Sequence, residues 1–520
     1  MPASAHDAAP ATVGAPAVSA VPIHPWMSKM LRTLFAALLL LLSPLSAQAA
    51  DWDGRPNHYA VRIDAKAQRA EVEADLWQQS DMLSMFGVMS VAGLANGQVS
   101  LVDGLRVTDA AGGELALKDL GSGDFAIRGG QRIRLRYTVK LEHDRYPWPA
   151  GMEEVSYRTD EGVMITGASL FFADGDAPVQ APIEVDFDLP QGWQAQTPWT
   201  RAGAGDVFKI DSRRELLSNA LFLGTAQAET FDAGGVELTL VLGQRYRKSA
   251  PLFIDLLRTQ LASYAELFGG PPLSKRYLII INEHASGDGG AFASSFSQFI
   301  QGDADERNRV IWGYVMAHEL LHFWNGLSLV PADEQEEWFK EGVTDYLTIV
   351  SLARNGWLDG ALLSKRLENV PRRYLIARYA QGLKMSVRAA GKDKQPNRQL
   401  VYGGGSLAAL ALDVALRERS GDKLGLPQFM RALYAEFAKP GKRYALEDLQ
   451  RIAQQLTGSD FSGFFAETVG SETWFDIRPS YAALGLRMDS FVEEMFISRE
   501  PQATPAQRAR FEAIFGPRAD

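Results

Sequence analysis

The stretch that decides the fold of this chain is HELLHFWNG, residues 318–326. Its apolar residues, with the Val-Met-Ala run just before them, predict a helix without a breaker. On a helix, positions i and i+4 lie on one face, so His318 and His322 can present two imidazole nitrogens to one metal ion. Glu319 lies beside them, where its carboxylate can act on a water molecule as a general base.

A second segment, WFKEGVTDY at residues 338–346, completes a ligand set. We expect Glu341 to supply a third ligand from a second helix. Three protein ligands leave a fourth position open, which is typical of a catalytic zinc site, so the sequence predicts one Zn²⁺ per chain. Asp345 follows Glu341 by four residues, and we expect it to hold a ligand histidine by its distal N–H. A capping or surface carboxylate is the alternative for Asp345.

The segments HELLHFWNG and WFKEGVTDY resemble the glycyl aminopeptidase family of gluzincin zinc metallopeptidases. The resemblance runs from about residue 55 to about residue 486. It implies a thermolysin-like catalytic core, related to the larger aminopeptidase N group. Family members usually carry a C-terminal PDZ domain, and the 34 residues after Leu486 are too few for one. We therefore expect no PDZ domain in this tail.

The resemblance also implies roles for individual residues. Those that match the zinc ligands are His318, His322 and Glu341. Glu319 matches the carboxylate that takes a proton from the attacking water and passes it to the leaving amine. A family tyrosine that stabilises the oxyanion corresponds to Tyr402, in the sequence VYGGG at residues 401–405. The family lysine that follows this tyrosine is a glycine here, and a packed aromatic is the alternative reading of Tyr402.

One departure from the family concerns the substrate's amino terminus. The family segment Gly-Gly-Leu-Glu-His uses its glutamate to bind the α-amino group, but this chain has GGAFASS at residues 289–295, with Phe292 at that position. An apolar ring cannot pair with an ammonium group. Either Glu283 or Asp288 replaces the glutamate, or a free amino terminus is not needed. We expect the predicted substrate-binding loop to lie along an extended peptide; its residues are Gly289, Gly290, Ala291 and Phe292.

The start of the chain has the layout of a secretory signal peptide. Lys29 and Arg32 precede the apolar run 34–42, and AQA at residues 47–49 has the small residues of a signal-peptide cleavage site. We expect translation to begin at Met27 or Met30 and cleavage to follow residue 49 or 50, giving a periplasmic or secreted protein. An unusual extended leader over residues 1–26 is the alternative. The apolar run is shorter than the roughly 20 residues of a transmembrane helix, so we expect no stable membrane span.

Periodicity predicts a multidomain α+β fold. Alternating segments such as 58–63, 132–141, 183–189 and 236–242 predict an N-terminal antiparallel β-sandwich over residues 51–244. A thermolysin-like zinc catalytic domain follows at 245–354, beginning with the amphipathic run 252–268. Apolar spacing near 3.6 predicts an α-helical domain over 355–486, with helices at 406–419, 428–437 and 446–456. The tail is 487–520, and its alternation of apolar and charged residues over 488–515 leads us to expect a helical extension there.

Composition narrows the function classes. The 520-residue chain has a net charge of −10 and no basic run, which argues against a nucleic-acid partner. It has no cysteine, so its stability must come from core burial rather than disulfides. We therefore predict a zinc metallopeptidase that acts on a peptide or protein, by resemblance an aminopeptidase. A zinc endopeptidase and a zinc-containing peptide-binding or scaffolding protein with little turnover remain the alternatives. The oligomeric state is not predicted.

Overall fold

The structure of this chain is a computed structural model. It describes residues 52–86, 91–148, 151–152, 155–176, 181–287, 289–491 and 494–517. Contacts group Asp51–Asp520 into one unit. The predicted leader and signal peptide, with their candidate start and cleavage positions, lie outside the described residues, and so does Asp288. The interpretations of these parts therefore stay predictions.

Strands dominate the first region. They are β1 Asn57–Asp64, β2 Arg69–Gln78, β3 Met82–Ser84, β4 Val102–Asp109, β5 Lys118–Gly121, β6 Asp124–Ala126, β7 Gln131–Lys140, β8 Ser156–Thr159, β9 Gly162–Thr166, β10 Ala173–Asp174, β11 Ile183–Asp188, β12 Gln194–Gln196, β13 Thr200–Arg201, β14 Val207–Ile210 and β15 Ala220–Gly224. Within the described ranges, seven of them form one sheet in the order β13-β14-β11-β1-β2-β7-β4. The others form two four-stranded sheets, β10-β3-β6-β5 and β12-β15-β9-β8.

The alternating sequence pattern produces the core of this region. Every second side chain of β2 is buried, as a period of two predicts. These side chains share one cluster with Val163 of β9 and Leu221 of β15, so a face of the large sheet packs on a smaller one. The predicted strands in β1, β7 and β11 are confirmed. The predicted antiparallel pairing holds for the described strand pairs of this region except β1 with β11, which pair in parallel across a long connection that no hairpin constrains.

A mixed sheet underlies the second region. Among the described residues it has five strands, β16 Gln227–Ala233, β17 Val236–Leu242, β18 Arg276–Glu283, β19 Gly289–Ala291 and β20 Ser295–Ile300, in the order β16-β17-β18-β20-β19. The central strands β17, β18 and β20 run parallel. β18 is a buried apolar run, as a parallel strand covered on both faces requires. The predicted boundary at Gln244 falls between β17 and β18, which pair with each other in this sheet. β16 and β17 therefore belong to the second region.

Helices form the rest of the described chain. Their bounds are α1 Gly167–Leu170, α2 Arg213–Leu217, α3 Ala250–Phe268, α4 Arg309–Leu321, α5 Thr344–Arg354, α6 Gly360–Leu375, α7 Val387–Gly391, α8 Gly405–Ser420, α9 Leu426–Phe437, α10 Leu446–Thr457, α11 Ser462–Thr468, α12 Arg478–Ala483 and α13 Pro505–Phe515. The predicted helices that became α3, α8, α9 and α10 are confirmed within two residues at each end. A β-rich region, a mixed sheet and a helical region thus follow one another along the chain.

One hydrophobic cluster joins the mixed sheet to the helices. Its members include Leu240 of β17, Ile279 of β18, Met316 of α4 and Leu410 of α8. The second and third regions therefore share a core that the predicted boundary after residue 354 does not divide. Among the described residues, the helical stretch Gln399–Ser420 alone is long and apolar enough to cross a bilayer, and most of it is buried in this core.

The tail differs from its prediction. β21 Leu486–Phe491 and β22 Glu494–Arg499 form an antiparallel hairpin, and a helix, α13, comes only after it. The prediction of a continuous helical extension is wrong for these strands, because their alternation of apolar and charged residues has the period of a strand. α13 contacts the helical region, where the Arg354 guanidinium donates to the Ala513 carbonyl at 3.0 Å.

Candidate metal centre and cleft

The two histidines of the motif lie at the end of a buried helix. His318 is in the last turn of α4, and His322 follows as its C-terminal cap. The apolar side chains between and before them, such as Met316 and Leu321, are fully buried. The two histidine residues are only 6% and 5% exposed. Core packing therefore holds both rings in a place with little water.

Glu341 lies in a π-helical turn, Trp338–Val343, that leads directly into α5. In a π-helical turn each backbone hydrogen bond spans one residue more than in an α-helix, and such turns are frequent at functional sites. Asn325 holds this turn beside α4: its Nδ2 donates to the Phe339 carbonyl at 3.0 Å and to Thr344 Oγ1 at 3.2 Å. One buried amide thus links the two elements that carry the candidate ligands.

Three candidate donor atoms form a nearly equilateral triangle. His318 Nε2 and His322 Nε2 are 3.2 Å apart. Glu341 Oε2 lies 3.5 Å from the first nitrogen and 3.3 Å from the second. Zinc binds nitrogen and oxygen at about 2.0–2.1 Å, and a tetrahedron with that bond length has edges of about 3.3 Å. The triangle has the size of one face of such a tetrahedron.

Glu341 Oε2 is buried and has no hydrogen-bond donor among the described residues. A buried carboxylate oxygen left in this way is costly unless a cation pairs with it. Two imidazoles and a carboxylate are also a ligand set that zinc accepts. These residues therefore fit a divalent metal ion, and zinc in particular.

The distal ring nitrogens of both histidines face acceptors. His322 Nδ1 lies 2.9 Å from the Asn325 carbonyl oxygen, so Nδ1–H donates and Nε2 keeps its lone pair. His318 Nδ1 lies 3.2 Å from Asp345 Oδ1. Both contacts favour the tautomer that a metal ligand needs.

Asp345 is held by several partners. It accepts hydrogen bonds from the Tyr314 hydroxyl at 2.7 Å and from Arg373 Nη1 at 2.6 Å. Burial opposes its charged form, but Arg373 and His318 hold the pKa of Asp345 below its usual range. Burial would also lower the pKa of His318, yet Asp345 and Glu341 raise it to about 10. An ionised, anchored carboxylate therefore faces the imidazole that it is predicted to orient.

The outer oxygen of Glu341 faces two lysines. Lys394 Nζ donates to Oε1 at 2.9 Å, and Lys340 Nζ lies 3.5 Å from it. Burial opposes the charged form of Glu341, but Lys394, His322 and Lys340 hold its pKa well below the usual range. Glu341 is therefore a carboxylate whose two oxygens face different groups, ammonium on one side and imidazole on the other.

A cavity of about 490 Å³ lies over the triangle and is also lined by Glu319 and Tyr402. Tyr402 lies in a second π-helical turn, Gln399–Gly404, which leads into α8. Its ring stacks on His318 with centroids 6.0 Å apart. Burial raises the pKa of Tyr402 well above its usual range, and the charges of Glu341 and Glu319 add to the rise. The phenol therefore keeps its proton, and all the predicted catalytic and metal-binding residues meet at one cavity.

The predicted substrate-binding loop is divided by the structure. The β19 residues Gly289, Gly290 and Ala291 line the cavity. Phe292 instead packs against an apolar cluster between the second region and the β-rich region. Glu283 is exposed and pairs with Arg245 at 2.5 Å, away from the cavity lining. Asp288 lies outside the described residues, so its role in binding the substrate's amino terminus stays a prediction.

Several residues of the site were missed at the sequence level. Asn325 comes three residues after His322, and its position within HELLHFWNG was the signal in the sequence that could have identified it. Tyr314 lies one helical turn before His318 and also had such a signal. Arg373, Lys394 and Arg214 come from distant parts of the chain and line the same cavity. No local pattern connects these three cations to the motif.

Comparison with solved structures supports the fold. An aminopeptidase N family protein from Idiomarina loihiensis superposes with a TM-score of 0.70 and 20% identity, over 84% of this chain and 79% of that one. A mutant M1 zinc metallopeptidase from Deinococcus radiodurans superposes with a TM-score of 0.55 and 14% identity, over 82% of this chain and 96% of that one. At these identities the likeness concerns the fold alone. No curated protein sequence matches the chain significantly.

Two family models match the sequence itself. The Peptidase M61 N-terminal domain matches residues 58–224, which is the β-rich region up to the end of β15. The M61 glycyl aminopeptidase model matches residues 313–400, which include both candidate histidines and Glu341. The resemblance inferred from HELLHFWNG and WFKEGVTDY is thereby confirmed. The chain therefore carries matches to both domains of the M61 glycyl aminopeptidase family, which supports a peptidase.

Proposed function

We propose that this chain is an exported, zinc-dependent metallopeptidase that hydrolyses peptide bonds with a glutamate general base. The observation that carries the proposal is the donor triangle of His318, His322 and Glu341, whose edges of 3.2–3.5 Å suit tetrahedral zinc. The triangle lies in the region that the peptidase family model matches. A thermolysin-like catalytic domain is part of this proposal, because the motif helix and the glutamate-bearing helix share a core with a mixed sheet.

The chemistry follows from what the neighbouring side chains can do. A zinc ion held by His318, His322 and Glu341 would polarise a peptide carbonyl and would make a water molecule acidic enough to attack near neutral pH. Glu319 accepts a proton from the attacking water at a carboxylate oxygen and passes it to the leaving amine nitrogen. The Tyr402 hydroxyl, which keeps its proton, donates a hydrogen bond to the carbonyl oxygen as negative charge develops there.

An extended peptide can add to the mixed sheet. β19 is an edge strand, since it pairs with β20 on one side and has no strand on the other among the described residues. It lines the cavity that holds the triangle. Backbone groups on its open side can therefore pair with a substrate backbone and place a peptide bond near the metal site.

Two modes of cleavage are candidates. The match to the glycyl aminopeptidase family favours removal of amino-terminal residues. The second candidate is an endopeptidase, and a specific observation favours it. Among the described residues that line the cavity, the carboxylates are Glu319, Glu341 and Asp345. Asp345 and Glu341 are already paired with Arg373 and Lys394, and Glu319 is assigned to the attacking water, so none of these three described carboxylates is assigned to a substrate ammonium group.

Location is proposed from the leader. The positively charged segment, the short apolar run and the small residues of a cleavage site before residue 51 support a cleaved signal peptide and a periplasmic or secreted enzyme. Amino-terminal sequencing of the protein purified from its native host tests this. We expect a mature terminus near Asp51, whereas a terminus at or before Met30 would contradict export by this signal.

The function itself is tested with two matched peptides, one with a free amino terminus and one acetylated. Each is incubated with zinc-loaded protein, with and without a chelator. Chelator-sensitive cleavage of the free peptide alone establishes an aminopeptidase, and equal cleavage of both establishes an endopeptidase. Cleavage of neither, with about one zinc bound per chain, would instead indicate a peptide-binding protein.

Glu319→Gln is the matched control for this experiment. The change removes the general base and keeps nearly the same shape, and Glu319 is not a member of the donor triangle. We expect the rate to fall by about 10²–10⁴-fold, the usual contribution of a general base. Zinc content, measured by metal analysis, is expected to stay unchanged. Full activity of this variant would refute the proposed mechanism.

A further inference from the structure

The cleft carries more cationic than anionic side chains. Among the described residues that line the cavity, the cations are Arg214, Lys340, Arg373, Lys394 and Arg398. The carboxylates there are Glu319, Glu341 and Asp345. A bound divalent metal would add further positive charge. A cleft in which one sign of charge dominates concentrates ligands of the opposite sign.

Three of these cations support the donor triangle. Arg373 pairs with Asp345 at 2.6 Å, and Lys394 pairs with Glu341 at 2.9 Å. Lys340 lies 3.5 Å from Glu341 and 3.3 Å from Glu337, the residue just before the π-helical turn. These contacts hold the carboxylates that face the histidines. Their charge is therefore largely compensated within the protein.

Arg214 has a different origin and different surroundings. It lies on α2, a helix of the β-rich region, and reaches the cavity from there. Its side chain is exposed and forms no ion pair with any described residue. The preceding residue, Arg213, behaves differently, because its guanidinium donates to the Asp174 carbonyl and packs over the Phe86 ring. Of these two neighbouring arginines, Arg213 therefore contacts the β-rich region itself, and Arg214 lines the cleft.

We propose that Arg214 binds a carboxylate of the peptide substrate, so that the enzyme prefers peptides with an acidic side chain or a free C-terminal carboxylate. This inference rests on the proposed peptidase function. A guanidinium matches a carboxylate with two parallel hydrogen bonds, which a point charge cannot do. A peptide that fills the cavity displaces water from around Arg214, and the pair then strengthens because the local dielectric falls.

The proposal accords with what is missing from the cleft. Phe292 stands where a family glutamate would bind an ammonium group, and it packs away from the cavity. Of the described carboxylates in the lining, Glu341 belongs to the donor triangle and Asp345 faces His318. If Arg214 binds an anionic group of the peptide, the peptide is oriented even though its amino terminus is not bound.

The test uses an Ala/Gly hexapeptide in which one position in turn is Glu or Gln, each made with a C-terminal acid and a C-terminal amide. kcat/KM is measured for the wild type, Arg214→Gln, Arg214→Glu and the control Arg106→Gln. Arg106 is an exposed arginine of β4 in the same region and does not line the cavity. The Glu/Gln pairs report a side-chain carboxylate, and the acid/amide pairs report a C-terminal one.

We expect the wild type to favour one carboxylate peptide over its uncharged partner by about 10–100-fold, the range for a hydrogen bond to a charged group. Arg214→Gln should abolish this preference and spare the uncharged peptide, and Arg106→Gln should leave the preference intact. Arg214→Glu should favour a Lys peptide instead. The proposal is overturned if the wild type shows no preference, if Arg214→Gln retains it, or if Arg106→Gln loses it equally.

Peptide binding to Glu319→Gln, measured by calorimetry, separates this proposal from the proposed function. Tighter binding of the carboxylate peptide, lost when Arg214→Gln is added, supports the carboxylate site even if the wild type cleaves nothing. In that case the proposed hydrolysis alone fails. Cleavage without any carboxylate preference overturns the site and leaves the peptidase. Neither cleavage nor preferential binding overturns both.

Discussion

At the scale of single residues, the site depends on groups that hold the ligands as much as on the ligands. His322 and His318 each have a distal nitrogen that faces an acceptor, a carbonyl in one case and Asp345 in the other. Such partners fix the tautomer and orientation of a ligand imidazole. Residue substitutions should therefore separate metal binding from turnover.

Replacement of Asp345 by Asn should weaken zinc binding. The change removes a negative charge next to His318 and presents an amide where an ionised acceptor is needed. Loss of such a partner usually lowers metal affinity by about 10–100-fold, which competition with a chromophoric chelator would measure. Glu467→Gln, the same kind of change on an exposed residue of α11, is the control. Unchanged affinity in Asp345→Asn would show that Asp345 does not orient the ligand.

Replacement of Tyr402 by Phe should lower the rate without affecting the metal. The ring would still stack on His318, but the hydroxyl donor would be lost. Removal of one oxyanion donor typically lowers kcat by about 10²–10³-fold. Steady-state kinetics with the peptide that the wild type cleaves would measure this, alongside zinc content. A normal kcat would assign Tyr402 to packing.

At the scale of elements, two π-helical turns meet at glycines. A Cβ built on Gly342 would lie 2.3 Å from the Gly405 carbonyl carbon, and one on Gly405 would lie 2.5 Å from the Trp338 carbonyl oxygen. Neither distance is possible, so any side chain would force apart the turns that carry Glu341 and Tyr402. Gly405 has helical backbone angles and Gly342 lies within a π-helical turn, so both are required by close approach and not by a left-handed conformation.

Gly342→Ala should therefore separate the turns. We expect a loss of stability of about 1–3 kcal/mol, the usual cost of overpacking a core, together with weaker zinc binding. Gly463→Ala in α11 is a matched control, because its Cβ would meet nothing within 4 Å and alanine favours helix. Thermal unfolding of zinc-free protein would compare the two. Equal stability of Gly342→Ala and the wild type would contradict the close approach.

At the scale of the whole molecule, acid stability should depend on a histidine far along the chain from the cleft residues. His143 is 1% exposed, and neither ring nitrogen has a hydrogen-bond partner among the described residues. Burial is the main reason that the pKa of His143 falls to about 4, with Arg158 adding to the fall and Asp144 opposing it. Its ring faces Trp148 at a centroid distance of 6.2 Å.

The sign of the pH effect follows from this depressed pKa. The unfolded chain binds a proton on His143 near pH 6.5 and the folded chain does not, so stability present above pH 6.5 is lost as pH falls towards 4. Between pH 7 and pH 5 the loss from this residue is about 2 kcal/mol. His143→Phe should remove that part of the acid sensitivity, as unfolding at both pH values would show. The same pH dependence in both proteins would contradict the buried, neutral histidine.

The sequence by itself determined the local parts of this protein. Periodicity predicted β1, β7, α3 and α8, and the spacing of HELLHFWNG predicted two histidines on one helical face, because both signals act over a few residues. The tertiary structure alone decided which sheet contains β17, and that Arg214, Arg373 and Lys394 line one cavity. These arrangements depend on contacts between segments far apart in the chain, and no local spacing or periodicity encodes such contacts.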